Sequence, residues 1–582
     1  MSSITRGLND FKVLVSIDFG TTYSGCAYKS FANIDEPKLL DRWPDHQGHY
    51  VKTPTVNLYK KTGKRLDMVA WGFSSKLKMM DMEAKELSSK FLQLSQYKLH
   101  LDENASLPAW TANITVMQAI SDFLKDFHNC AAEKIESQIA IGRENYRYCL
   151  TVPAMWSDEA KYVMRQAAIN AGIISAGDDP DRLMLVSEPE AAALYCERTC
   201  KEYDLQQGDR FLICDAGGGT VDLIVYDVAV SEEGQTLSEV TKGHGASCGS
   251  IFIDENFATV LANRFANHDV KIPDSLLSEL ATAFAYQLKP NFKGDNDLRL
   301  QLPWNLFFSG LKNPARFDIH EGKMLFRASE LREKVFDPVV SQVLELIRSQ
   351  LDKARAQNRA KKMSAIFLVG GFASSAYLQS RVRSEFENMA KKIAAPNRPE
   401  MAVVYGAVYA GMNPRKVTAR ATRRCYGVGI IDAFDWSIDY LRPDLKFDLF
   451  GETLCRSRFS TFALSGQKIK MDECITHHYT LVNKIYGESS DYRFTVFAID
   501  GDPPRYVTNL QGAAFISIPD PFSSFDPPGR EISVQLSFYF GLSEIRVEAT
   551  VQGKTFVTRL QFDQGTSGKL QKQLLFRSSR EY

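Results

Sequence analysis

Two segments of this chain end an apolar run on an aspartate and turn at once through glycine and threonine. They are Val13 to Gly25, "VLVSIDFGTTYSG", and Phe211 to Asp222, "FLICDAGGGTVD". Each reads as strand, carboxylate, Gly/Thr turn, strand, and the recurrence points to an internal repeat. A single copy could be a tight hairpin, since glycine is the usual residue wherever the backbone needs φ > 0. It could equally be an anion cradle, because glycines let backbone N–H groups close around a phosphate. A second copy shifts the balance toward the cradle. Neither copy carries the Gly-Lys-Ser/Thr ending of a P-loop.

Further segments belong to the same α/β design. Tyr148 to Pro153, "YCLTVP", reads as a buried strand, and the following "SDEAKYVMRQAAINAG" spaces Ala160, Val163, Met164, Ala167, Ala168 and Ala171 on one helical face. Ser157 and two acids suit its N-terminal dipole, and Gly172 stops it. In "LMLVSEPEAAALYCERT" a short strand ends at Glu188, with Pro189 at the start of an Ala-rich helix. "SAIFLVGGFASSAYLQSRV" runs from a strand into Gly370 and Gly371 and then a helix. Alternating strands and helices predict a parallel or mixed sheet with its ligand crevice beyond the carboxyl ends of the strands.

After about Gly411 the helical periodicity fades and alternating strands take over. Ile532, Val534, Leu536, Phe538 and Phe540 alternate, then Ile545, Val547, Ala549 and Val551. A Gln552-Gly553 turn leads to Phe556, Thr558, Leu560 and Phe562, so the pattern predicts a half-buried antiparallel meander in a small β-sandwich. The interval "NPRKVTARATRR", Asn413 to Arg424, is read as a linker whose basic side chains form a solvated face.

Composition sets limits on partners. Lysine plus arginine equals aspartate plus glutamate at 70 each, so no global field draws the chain to nucleic acid or an anionic membrane. Asp18 interrupts the only apolar run near the N-terminus, and no stretch approaches the ~20 apolar residues of a membrane span. Ten cysteines without a C-x-x-C pair suit reduced thiols. A cytoplasmic protein, with access to the nucleus left open, is the expectation.

In order, "IDFGTTYS", "LTVPAMWSDEAK", "VSEPEAAAL", "CDAGGGTVD", "FLVGGFASS" and "PEMAVVYGAVYAG" resemble the motifs of the seventy-kilodalton heat-shock chaperones, with the divergent heat shock 70 kDa protein 12-like branch the closest in kind. The resemblance covers roughly residues 10 to 412 and, more loosely, the β segment beyond. It implies a two-lobed actin-like ATPase domain over residues 1–412, with a ribonuclease-H-like sheet in each lobe. A linker over 413–424 and a β-rich domain over 425–582 resembling a chaperone peptide-binding sandwich would follow. It also implies Mg-ATP or Mg-ADP as the ligand, polypeptide clients and co-chaperones as partners, and ATP hydrolysis coupled to polypeptide binding.

Phosphoryl transfer needs positioning and charge neutralisation, and carboxylates beside a polyanion need a cation between them. The resemblance therefore assigns Asp18 and Asp215 to Mg²⁺ or its waters. Gly20, Thr21, Thr22 and Tyr23 on one hairpin, and Gly217, Gly218, Gly219 and Thr220 on the other, would offer donors to the phosphates. Glu188 and Asp222 would orient the attacking water, Lys98 would approach the γ-phosphate from an early strand, and Gly249, Lys289, Gly370 and Gly371 would line the nucleotide.

The departures lie on the base side. "CGSIFIDENF" keeps Gly249 but has Ser250 and Ile251 where the family has acids. Ser374 stands where an arginine is expected, and Pro290 follows Lys289 where another would stack. The linker is basic rather than acidic and leucine-rich, and the stretch from Asp563 onward is too short for a helical lid. These differences leave open a nucleotide-dependent scaffold or signalling adaptor with little ATPase activity. A sugar-kinase relative fits the β segment and "VSEPEAAAL" less well.

Overall fold

The computed structural model describes residues 11–32, 36–63, 65–80, 89–102, 105–199, 205–231, 234–270, 272–303, 314–449, 451–483, 492–508, 510, 514–523, 525–560 and 576–578. The chain forms two compact units. The first holds Met1–Ser157, Val163–Gln235 and Gly243–Lys416, and the second holds Asp158–Tyr162, Thr236–Lys242 and Val417–Tyr582.

Two sheets of the first unit share one topology. In the first, Val13–Asp18 pairs antiparallel with Tyr23–Ser30 and parallel with Tyr146–Val152, which in turn pairs parallel with Leu183–Ser187. In the second, Arg210–Ala216 pairs antiparallel with Val221–Ser231 and parallel with Met363–Val369, which pairs parallel with Ala390–Ala394. The repeat expected from the two aspartate turns is therefore a repeat of strand order as well. All six residues of Val13–Asp18 are buried, as are all seven of Arg210–Ala216, which is why both read as continuous apolar runs rather than alternating ones.

The helix Glu188–Thr199 packs on Ala402–Met412 with backbones in contact: a Cβ on Gly406 would fall 1.7 Å from the Ala191 carbonyl oxygen. The small residues of "EPEAAAL" and "VYGAVYAG" allow this approach, and it fixes the start of the helix that carries Glu188. Ser16 ties its strand to the same packing by donating to the Val404 carbonyl at 2.8 Å. Ile120, Phe123, Leu124 and Phe127 are fully buried on one face of the helix Val116–Ile139.

The second unit is built on antiparallel ladders. Cys425–Ala433 pairs with Glu452–Ala463 and Tyr492–Ile499, while Cys474–Val482, Glu531–Tyr539, Arg546–Val551 and Lys554–Arg559 form a meander. Gln552 and Gly553, both at positive φ, make its predicted two-residue turn. The alternating set from Ile532 to Val551 is buried in one core with Val428, Phe462, Phe494 and Ile516. Phe562 and the segment expected to be too short for a lid, 563–575, lie outside the described residues.

A single acid organises the far part of this unit. Asp439, fully buried, accepts from Arg458 Nη2 at 2.7 Å, Arg505 Nε at 3.0 Å, the Tyr506 hydroxyl at 2.5 Å and the Asp435 N–H at 2.9 Å.

The basic stretch 413–424 corrects the expectation of a solvated linker. Val417–Ala421 is a strand: Val417 and Ala419 pair with Leu237 and Ser238, and Ala419–Ala421 pairs with Lys468–Lys470. Its basic side chains have partners. Lys416 meets Glu197 at 3.2 Å, Arg420 donates to the Gly541 carbonyl, Arg423 meets Glu239 at 3.1 Å, and Arg424 meets Asp500 at 3.4 Å. Alternation in "VTARA" marks a strand as readily as a basic tether, and charge alone does not separate them. Glu239 is fully buried and also accepts from the Ala421 N–H at 3.0 Å. Glu239→Ala is expected to lower stability in urea titration by about 3 kcal/mol, since it strands a largely buried guanidinium, whereas Asp500→Ala, at an exposed pair, should change it by less than about 0.5 kcal/mol.

Candidate functional site

Within the first unit the two Gly/Thr turns meet. A Cβ on Gly218 would lie 2.3 Å from Thr22 Oγ1, and one on Gly219 would lie 2.6 Å from Thr21 Oγ1 and 2.8 Å from Leu99 Cδ2. No side chain fits there, so the glycines are required by this close approach. Each turn is braced from behind. Thr55 donates its N–H to the Thr22 carbonyl at 2.9 Å and its hydroxyl to the Gly20 carbonyl at 2.8 Å. The N–H groups of Gly249, Ser250 and Ile251 donate to the carbonyls of Gly219, Gly217 and Gly218 at 2.9, 3.2 and 2.9 Å. The Gly217 N–H is spent on the Thr220 carbonyl at 2.9 Å, so with the loop's carbonyls taken the N–H groups of Gly218 and Gly219 are those left to offer an anion.

Beside these turns stand four carboxylates and two lysines, all buried or nearly so. Asp18 ends its strand, with Oδ1 accepting from the Thr151 hydroxyl at 3.0 Å and Oδ2 from Lys52 Nζ at 2.6 Å. Glu188 accepts from Lys98 Nζ at 2.5 Å. Asp222 accepts the Met155 N–H on Oδ1 at 3.1 Å, while its buried Oδ2 has no hydrogen-bond partner among the described residues. Asp215 lies against Gly370, where a Cβ would fall 2.5 Å from Asp215 Oδ1 and φ is 86°. Only glycine satisfies both conditions.

The electrostatics follow from burial and from like charge at close range. Burial lifts the Glu188 carboxyl to about 7, with Lys98 opposing and Asp222 and Asp18 adding to the rise. Burial also drives Asp215 well above the usual carboxylate range, reinforced by Glu188, Asp222 and Asp18 and opposed by Lys52. Asp222 is raised by burial, against the hydrogen bonds it accepts. Four acids against two lysines leave the site short of positive charge. Its oxygen donors suit a hard cation that keeps its water, since magnesium takes one or two carboxylates and several waters. Among the described residues no group of three or more His, Cys, Asp or Glu side chains is placed to hold a metal ion directly.

Several anticipated residues take up other positions or partners. Lys98 is neither on a strand nor at the surface: it lies in the 3₁₀ turn Tyr97–Leu101, 2% exposed, its ammonium over the Trp156 ring at 5.2 Å. The Tyr23 hydroxyl meets that of Tyr286 at 2.9 Å, and Lys76 sits over both rings at 5.6 and 4.8 Å. Lys289 is engaged by Asp254 at 2.7 Å and by the Ser250 carbonyl at 3.2 Å. Ser374 ends the short 3₁₀ turn Phe372–Ser374, and a Cβ on Gly371 would enter open space. Lys52, Thr55, Thr151, Lys76 and Tyr286 were not among the anticipated residues. Thr151 stands inside the quoted "LTVP", whereas Lys52 in "YVKTP" carries no periodicity that would single it out.

Comparisons with known proteins identify the family. A family model described as "Hsp70 protein" matches residues 71–416, and the chain belongs to that family. The match stops at Lys416, where the first unit also ends. Human Heat shock 70 kDa protein 12A is 26% identical over 631 residues, covering 93% of this chain and 89% of that protein. Human Heat shock 70 kDa protein 12B is 25% identical over 638 residues with the same coverage. The Chaperone protein DnaK of Thermosipho melanesiensis is 25% identical over 406 residues, 68% of this chain and 58% of that protein. Among the described residues no helix is long and apolar enough to cross a membrane.

The braced loop yields a paired prediction. A Cβ on Gly249 would lie 2.3 Å from the Gly218 carbonyl oxygen, a backbone atom that cannot rotate away. Gly249→Ala is expected to cost about 2 kcal/mol in urea titration, and Gly371→Ala less than about 0.5 kcal/mol.

Proposed function

We propose that the chain is an Hsp70-like ATPase of the two-lobed actin type that binds Mg-ATP, hydrolyses it slowly and holds extended polypeptide on its β-rich unit. The observation that carries this reading is the apposition of the two Gly/Thr turns beside a buried cluster of four acids. A lone glycine hairpin needs no such partner. Two facing turns give the backbone and hydroxyl donors that a chain of phosphates requires on both sides.

In this reading Thr21 and Thr22 receive the phosphates from one side and the 218–220 backbone from the other. Asp215 and Asp222 would hold the magnesium's waters; the orphaned Asp222 Oδ2 and the raised Asp215 carboxyl both favour a cation there. Bound magnesium would supply neutralisation of charge on the phosphate oxygens. Glu188, fixed by Lys98 and by the first turn of its helix, orients the attacking water and accepts its proton at Oε2 or through a second water. The free thiols of the described cysteines suit a reducing, cytoplasmic setting. The antiparallel second unit, read as a sandwich, offers strand edges for β-addition by a client segment.

A second reading, a nucleotide-dependent scaffold with little turnover, is favoured by the base side. Lys289 is already committed to Asp254, and Ser374 supplies no guanidinium to stack on a base. ATP binding and single-turnover hydrolysis, with and without an extended apolar peptide, separate the two. The ATPase reading expects slow hydrolysis by the wild type, and a fall of about 100-fold or more in the hydrolysis rate for Glu188→Gln with ATP affinity within about threefold of wild type. For Asp215→Asn it expects lost turnover. Binding without hydrolysis in the wild type selects the scaffold, and hydrolysis that requires an added sugar rejects both.

A further inference from the structure

Lys52 is held as firmly as any acid in the site. It opens the short strand Lys52–Pro54, which pairs with Tyr23–Gly25 of the first hairpin. Gly25 makes room for its stem: a Cβ there would lie 3.1 Å from Lys52 Cγ and 3.6 Å from Cε. The ammonium reaches Asp18 Oδ2 at 2.6 Å, with the lysine side chain 15% and the aspartate 5% exposed. Thr151 donates to the other oxygen of Asp18, so each of its oxygens already accepts one hydrogen bond and Oδ2 already faces a cation. Asp222 Oδ2 has no such partner. An entering cation therefore meets the repulsion of a fixed ammonium at Asp18, and none at Asp222 Oδ2.

We propose that Lys52 is a resident counter-cation which withdraws Asp18 from the magnesium shell and lets the cleft hold nucleotide phosphates with little dependence on a divalent ion. An ammonium is a compact point charge with three donors, so it can neutralise Asp18 and still present an N–H to a phosphate oxygen. This rests on the nucleotide-binding reading above and adds the identity of the cation beside Asp18.

The test is calorimetric titration of the full chain with ADP and with ATP, in millimolar MgCl₂ and in excess EDTA, for wild type and Lys52→Met. Wild-type affinity is expected to fall by less than about threefold in EDTA, whereas Lys52→Met, whose bare Asp18 then needs an ion, should fall by about 30-fold or more, roughly 2 kcal/mol. A wild type that itself loses about 30-fold in EDTA overturns the proposal without any variant, and so does a Lys52→Met protein as indifferent to EDTA as wild type. Absence of binding in both buffers instead rejects the nucleotide reading, and this proposal with it.

Discussion

Burying like charges together is the constraint on which the first unit depends. Four carboxylates enclosed with two ammonium groups are far costlier than the same groups in water, because low polarisability strengthens their mutual repulsion. The fold tolerates the arrangement by dividing the acids between two sheets of one topology. Asp18 ends one central strand and Asp215 stands one residue before the end of the other, while Glu188 starts a helix pinned by backbone contact at Gly406. Each rigid element delivers one charge, so the acids cannot relax apart. The deficit of positive charge is thereby built into the scaffold, and a phosphate chain with its cation is a ligand that answers it.

Much of this was legible in the sequence because the geometry leaves periodic or steric marks. A strand buried on both faces reads as an unbroken apolar run, and a turn that must touch another turn reads as glycine. Both marks recur at Asp18 and Asp215, so the repeated strand, acid and turn were legible in local text, whereas the parallel partners of each strand were not. The meander from Ile532 to Val551 was equally readable, since a half-buried strand alternates.

What escaped was long-range pairing of single charges. Lys52 reaches Asp18 across 34 positions and Lys98 reaches Glu188 across 90, and neither lysine differs in local pattern from one at the surface. The basic stretch misled for the same reason. Arg420 and Arg423 look like a solvated tether until Gly541 and Glu239, over a hundred positions away in opposite directions along the chain, supply their partners. Charge in a sequence announces that a partner is needed. It does not say whether that partner is water, a ligand or another segment.

The two units show how that ambiguity resolves once the partners are known. Asp439 and Asp215 are both deeply buried, and burial pushes both toward the neutral acid. Around Asp439, hydrogen bonds from Tyr506, the Asp435 N–H and Arg505 outweigh burial and hold the carboxyl below its ordinary range. Around Asp215 the neighbours are Glu188, Asp222 and Asp18, which compound the effect and send it the other way. A buried acid whose neighbours satisfy its charge is part of the architecture, whereas one whose neighbours repel it stores a demand that a proton or an added cation can meet. On that criterion the network at Asp439 is part of the second unit's architecture, and the cluster at Asp215 is the first unit's candidate ligand site.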